Sequence, residues 1–108
     1  MEIMDQINKF RDDRDWRQFH NAKDLAISIN LEAAELLELF QWKNSDEVIA
    51  NNQDELKEEL ADILMYTLML IDDLGLEPVE IIEDKLQVNN RKYPEDKARG
   101  NNKKHTEL

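Results

Sequence analysis

Apolar residues recur along this chain at intervals of three and four, the period of a helix, with almost none of the alternation that marks a half-buried strand. Ile3, Ile7 and Phe10 form one stripe and predict a first helix near residues 2–13. A polar loop with Asp15, Trp16, Gln18, Phe19 and His20 follows. Leu25, Ile29, Ala33, Leu36 and Phe40 then share an arc, which predicts a second helix from about Asp24 to Trp42 with Asn21 or Asp24 as its N-cap. The third spans roughly Gln53 to Leu74 and stops at Gly75, a residue suited to the left-handed conformation that often ends a helix. Asn44 to Asn52 reads as a connection or a short extra turn. Pro78 opens a fourth helix that runs to about Asn90, with Val79, Ile82 and Leu86 on one face. Past Tyr93 and Pro94 the period is lost. The expectation is an all-α helical domain over residues 1–94, with about four main helices, and an irregular tail over 95–108.

Composition narrows the possible partners. Residues 1–90 hold 22 Asp and Glu against 8 Lys and Arg, whereas residues 91–108 hold 3 against 6. So acidic a body repels a nucleic-acid backbone and accommodates divalent cations, so duplex DNA is not an expected partner. The chain has no cysteine, which removes thiol nucleophiles and Cys-ligated zinc from consideration. No apolar run approaches the roughly 18 to 20 residues that cross a bilayer, so the expectation is a soluble, cytoplasmic protein without a membrane partner. At 108 residues one helical layer buries a modest core, which makes a partner subunit plausible.

The chemistry lies where carboxylates interrupt apolar faces. Glu32 falls within the edge of the second helix's apolar arc, and Glu35 lies roughly 60° further round on the same side. Glu38 points away. In the third helix Asp62 is the one carboxylate in the stretch from Leu60 to Ile71, with Glu59 one turn before it and Tyr66 one turn after. An inward carboxylate costs several kcal/mol unless it is protonated, paired or bound to a cation. Two helices that each bring an i, i+3 pair can surround one polar pocket with four carboxylates, a donor set suited to Mg²⁺ or Mn²⁺. Di-iron bundles want Glu-x-x-His, and neither long helix contains a histidine. The competing readings are a buried salt bridge from an Arg or Lys of the tail to Asp62, and a non-catalytic helical interaction module whose inward carboxylates pair with basic residues of a partner or of the tail.

The pairs Glu32-Ala33-Ala34-Glu35 and Glu59-Leu60-Ala61-Asp62 match the E-x-x-E and E-x-x-D signature of the MazG-like nucleotide pyrophosphohydrolases. Their surroundings make the match specific: Arg14-Asp15-Trp16-Arg17-Gln18-Phe19-His20 before the first pair, Glu38-Leu39-Phe40-Gln41-Trp42-Lys43 after it, and Asn89 with Tyr93-Pro94 beyond the second. Nearly the whole chain resembles that family, and its dCTP pyrophosphatase branch in particular.

The resemblance implies a MazG-like helical bundle completed by dimerisation, as a homodimer or tetramer. It implies conversion of a deoxynucleoside triphosphate, dCTP or a modified dCTP favoured, to monophosphate and pyrophosphate, with a broader dNTP or dUTP activity as the variant reading. Glu32, Glu35, Glu59 and Asp62 would hold Mg²⁺, for which Mn²⁺ can substitute, and Glu35 is the candidate proton acceptor. Trp16, His20 and Trp42 would belong to the nucleotide pocket; Tyr66, Lys85 and Asn89 would contact base, sugar or phosphate. Two departures stand out. Leu31 replaces a second glutamate that many family members place before Glu32, and Ile7 stands about where mammalian relatives place a pocket histidine.

Overall fold

A computed structural model describes residues 2–108, which leaves Met1 of the expected 1–94 domain outside it. Among these residues the chain forms helices and 3-10 turns and no strand. The long helices are α1 (Glu2–Asp13), α2 (Ala22–Glu38), α4 (Gln53–Asp73) and α5 (Pro78–Lys92), and the short ones are α3 (Ser45–Asn51) and α6 (Glu95–Ala98). The expected all-α class with about four main helices is therefore what the chain adopts. The chain divides into a unit ending at Gly75 and a second unit over residues 76–108.

Local chemistry sets most of the boundaries. Asn21 caps α2: its side-chain oxygen accepts from the Asp24 amide at 2.8 Å while its amide donates to the Asp24 carboxylate at 2.9 Å. Asn44 repeats this reciprocal cap with Glu47, which turns the expected connection into the helix α3. The apolar arc predicts an α2 that continues to Trp42, but the helix tightens after Glu38. The amides of Leu39, Phe40 and Gln41 reach back only three residues, and Trp42 then takes φ 65°. Gly75, at φ 71°, ends α4 as expected. In the second unit Glu77 caps α5, with Pro78 in its first turn. The tail is more ordered than its lack of period suggests, with a helical turn at α6 and a 3-10 turn at His105–Glu107.

In the first unit α2 packs along α4 more extensively than any other pair, and α1 and α3 also pack on α4. Met4, Ile7, Leu25 and Met69 form the core, with Met65, Tyr66, Leu68 and Leu70 against it. The buried face of α1 is Met4, Ile7 and Arg11, while Ile3 and Phe10 of the expected stripe are exposed. The shift has an electrostatic cause. Arg11 is 0% exposed because its guanidinium meets the Asp73 carboxylate of α4 through two hydrogen bonds, 3.0 and 2.5 Å long.

Candidate metal and nucleotide site

The contact between α2 and α4 brings the inward carboxylates together. Carboxylate oxygens of Glu32, Glu59 and Asp62 all lie within 4.8 Å of one another. Glu35 is exposed, one turn along α2 from Glu32, and its charge bears on both Glu32 and Glu59. Glu32 Oε2 and Glu59 Oε2 are buried without any hydrogen-bond partner. Neither an Arg nor a Lys answers these four groups in the ion pairs of the described residues, where the buried cation, Arg11, is committed to Asp73.

Like charges this close cannot all ionise in a site short of water. Burial first, then the hydrogen bond and charge of Glu35, then Glu59 and Asp62, push the Glu32 carboxyl up to about 7. Glu59 is also raised, by desolvation and by Glu35, while a hydrogen bond from Glu32 acts the other way. Both carboxyls therefore hold a proton more readily than a free glutamate does. Tyr66 is raised by burial and then by the charges of Glu32, Asp62 and Glu35, so its hydroxyl stays protonated beside them. Hard oxygen donors, two of them orphaned, fit a divalent cation in place of that proton.

Next to the carboxylates is a cavity of about 230 Å³ lined by Phe10, Trp16, His20, Asp62, Met65, Tyr66 and Met69. Its outer wall comes from the loop after α1, where Asp15 takes φ 53° and the Trp16 amide returns to the Arg11 carbonyl at 2.9 Å. The Trp16 ring meets Phe10 edge-on at 5.5 Å and His20 at 6.2 Å. Burial, followed by the Arg11 charge, lowers the His20 pKa and favours the neutral imidazole.

Of the residues singled out from sequence, the structure thus gathers Trp16, His20 and Tyr66 at one cavity that Asp62 shares with the carboxylate cluster. It does not bring Trp42 there: that indole stands 93% exposed in the turn after α2. Lys85 and Asn89 lie one turn apart on α5, in the second unit. Phe10, Met65 and Met69 escaped the sequence reading because apolar residues look like core. A signal existed, however, since Asp62, Met65, Tyr66 and Met69 follow the i, i+3, i+4, i+7 rule of a single helix face. Ile7, the departure at the mammalian histidine position, is buried in the core.

A model of the MazG-like family matches residues 27–108 of the chain, which include both carboxylate pairs. The chain belongs to the MazG-like family. Among curated relatives of this MazG-like protein, dCTP pyrophosphatase 1 of Homo sapiens is 35% identical and that of Mus musculus 33%, each over 93% of this chain. The chain spans 62% of the length of those relatives. A pyrophosphatase from Archaeoglobus fulgidus, known from a crystal structure, is 45% identical with a TM-score of 0.82, covering 86% of this chain and 90% of that one.

Proposed function

We propose that the chain is a divalent-metal-dependent pyrophosphohydrolase that cleaves a deoxynucleoside triphosphate to the monophosphate and pyrophosphate. The observation that carries this reading is the cluster of Glu32, Glu59 and Asp62 with two orphaned carboxylate oxygens, set beside an aromatic cavity. Glu32, Glu59 and Asp62 would hold the cation, with Glu35 at its edge, and we infer Mg²⁺ as the resident ion with Mn²⁺ as a substitute. Such an ion, when bound, neutralises phosphate charge and makes a coordinated water more acidic.

The chain's own groups do the rest. Glu35, exposed and one turn from Glu32 on α2, would accept a proton from water. Trp16 offers its indole to the base, a stack worth roughly 1 to 3 kcal/mol. Phe10, Met65 and Met69 exclude water from that stack, and His20 and Tyr66 supply polar edges within the cavity. Lys85 and Asn89 are assigned to phosphate and sugar contacts, and Trp42 to the base pocket in the assembled form. Preference for dCTP or a modified dCTP is supported by the names of the curated relatives. The buried Ile7 supplies no polar group, which favours a broader pyrimidine range.

The assembled form is proposed as a homodimer or tetramer. Its support is the apolar surface a single chain leaves open, notably Val79, Ile82 and Leu86 of α5 and Leu37 and Leu64 in the first unit. No helix of the described residues is long and apolar enough to cross a membrane. A nucleotide substrate suits a cytoplasmic protein. The test is product analysis with a panel of deoxynucleoside triphosphates and Mg²⁺. Monophosphate and pyrophosphate in equal amounts are expected, and loss of turnover in Glu35→Ala and Asp62→Ala; stepwise release of orthophosphate would reject the reading.

A further inference from the structure

We propose that the buried Arg11–Asp73 pair is a positioning device that holds the Trp16 and His20 wall of the cavity, and so sets nucleotide affinity without touching the nucleotide. The inference rests on the proposed function for its meaning but on its own contacts for its geometry.

Arg11 is fully buried, and its contacts reach the end of α4, its own helix and the loop that follows. Its guanidinium Nη1 and Nη2 donate to the Asp73 carboxylate at the end of α4, and its Nε donates to Asn8 Oδ1 at 3.1 Å. Asn8 in turn donates to Asp72 at 3.0 Å, so two consecutive aspartates of α4 are fastened to α1. The backbone carbonyl of Arg11 accepts from the Trp16 amide. Asp73 then reaches the loop itself through Arg17, whose Nη1 lies 3.6 Å from its carboxylate while Nε donates to Asp12 at 2.5 Å. The Arg17 carbonyl accepts from the His20 amide at 3.1 Å. The Arg11–Asp73 pair thus fastens the end of α1, from which the loop departs, to the end of α4, and Asp73 also faces Arg17, which lies between Trp16 and His20 on a loop that contains a residue at positive φ and no long helix of its own.

A pair serving only to stabilise the fold would be an inefficient choice, because apolar residues of similar volume commonly serve as well as a buried ion pair. What apolar replacements cannot reproduce is the charge contact of Asp73 with Arg17 of the loop. The double variant Arg11→Met/Asp73→Leu therefore separates the two roles, and Asp73→Asn, with its smaller change in shape, accompanies it.

The experiment measures KM and kcat for dCTP and the Mg²⁺ requirement with Trp42 in place, and, as a separate readout that does not involve activity, acrylamide quenching of Trp16 in a Trp42→Phe background, where it is the single tryptophan. The expected result in folded variants is a KM raised roughly tenfold, within the cost of one weakened base stack. The kcat and Mg²⁺ requirement should stay close to those of the parent, and Trp16 should become more accessible to quencher. Folded variants with parental KM and parental quenching would overturn the proposal, as would a matched loss of kcat and metal response, which marks general damage to the fold. If the parent hydrolyses no deoxynucleoside triphosphate, the proposed function fails by itself. Quenching then decides the positioning role alone: increased accessibility upholds it and unchanged accessibility rejects it.

Discussion

At the scale of single residues, Glu32 carries the sharpest electrostatic statement. Its ordinary carboxyl value is 4.5 and its folded value is about 7, so the folded state binds the proton more tightly than the unfolded chain does. The resulting stabilisation is fully present below the unfolded value and is lost as pH rises through about 7. Metal-free protein should therefore melt at falling temperature as pH is raised from 5 to 8, and Glu32→Gln should flatten that slope. Saturating Mg²⁺ should reverse it, because the cation needs the carboxylate that the proton occupies. Melting curves across that pH range, with and without Mg²⁺, check all three. These carboxylates were legible in the sequence because a charge inside an apolar run is an energetic anomaly. The partner of Arg11 was not: Asp73 is 62 positions away, and nothing local to α1 distinguishes a buried arginine from a solvated one.

At the scale of elements, the four long helices could be read from periodicity and punctuation, since Asn21, Gly75 and Pro78 act through their immediate neighbours. Shorter features were harder to see. The α3 helix has seven residues, too few for a periodic signal, and is defined by the reciprocal cap of Asn44 and Glu47. After the end of α2 at Glu38, Trp42 adopts a left-handed conformation that an indole does not favour by itself. Capping energetics give a direct prediction. Asn21→Ala removes the acceptor for the Asp24 amide and should cost about 1 kcal/mol of unfolding free energy. Since Glu32 and Glu35 lie more than two turns further along α2, metal binding should be unchanged. Denaturant unfolding paired with a metal titration checks both parts.

For the whole molecule, the described core is small and much apolar surface remains open. Among the described residues only Met4, Ile7, Leu25, Val48 and Met69 are buried hydrophobics, whereas the α5 face of Val79, Ile82 and Leu86 is more than half exposed throughout. A helix with so open an apolar face, and with a lysine and an asparagine assigned to the substrate, is expected to be covered by another copy. Light scattering should return a mass at least twice the 12.8 kDa of the chain, and Ile82→Glu should shift the population toward monomer. A stable monomer at micromolar concentration would remove the support for that assembly. Periodicity places Val79, Ile82 and Leu86 on one face of α5, but the spacing of a single chain carries no mark of what covers that face.

The most direct test of the central claim is uptake of Mn²⁺ by the protein without nucleotide, followed by the loss of the free-ion EPR signal, in wild type and in Glu32→Gln/Glu59→Gln. Those substitutions preserve side-chain shape and replace the two orphaned carboxylate oxygens with neutral amides. Saturable uptake by the wild type, with competition by Mg²⁺ and abolition in the double variant, is the predicted result. Equal uptake by the two proteins would contradict the assignment of the carboxylate cluster as the metal site.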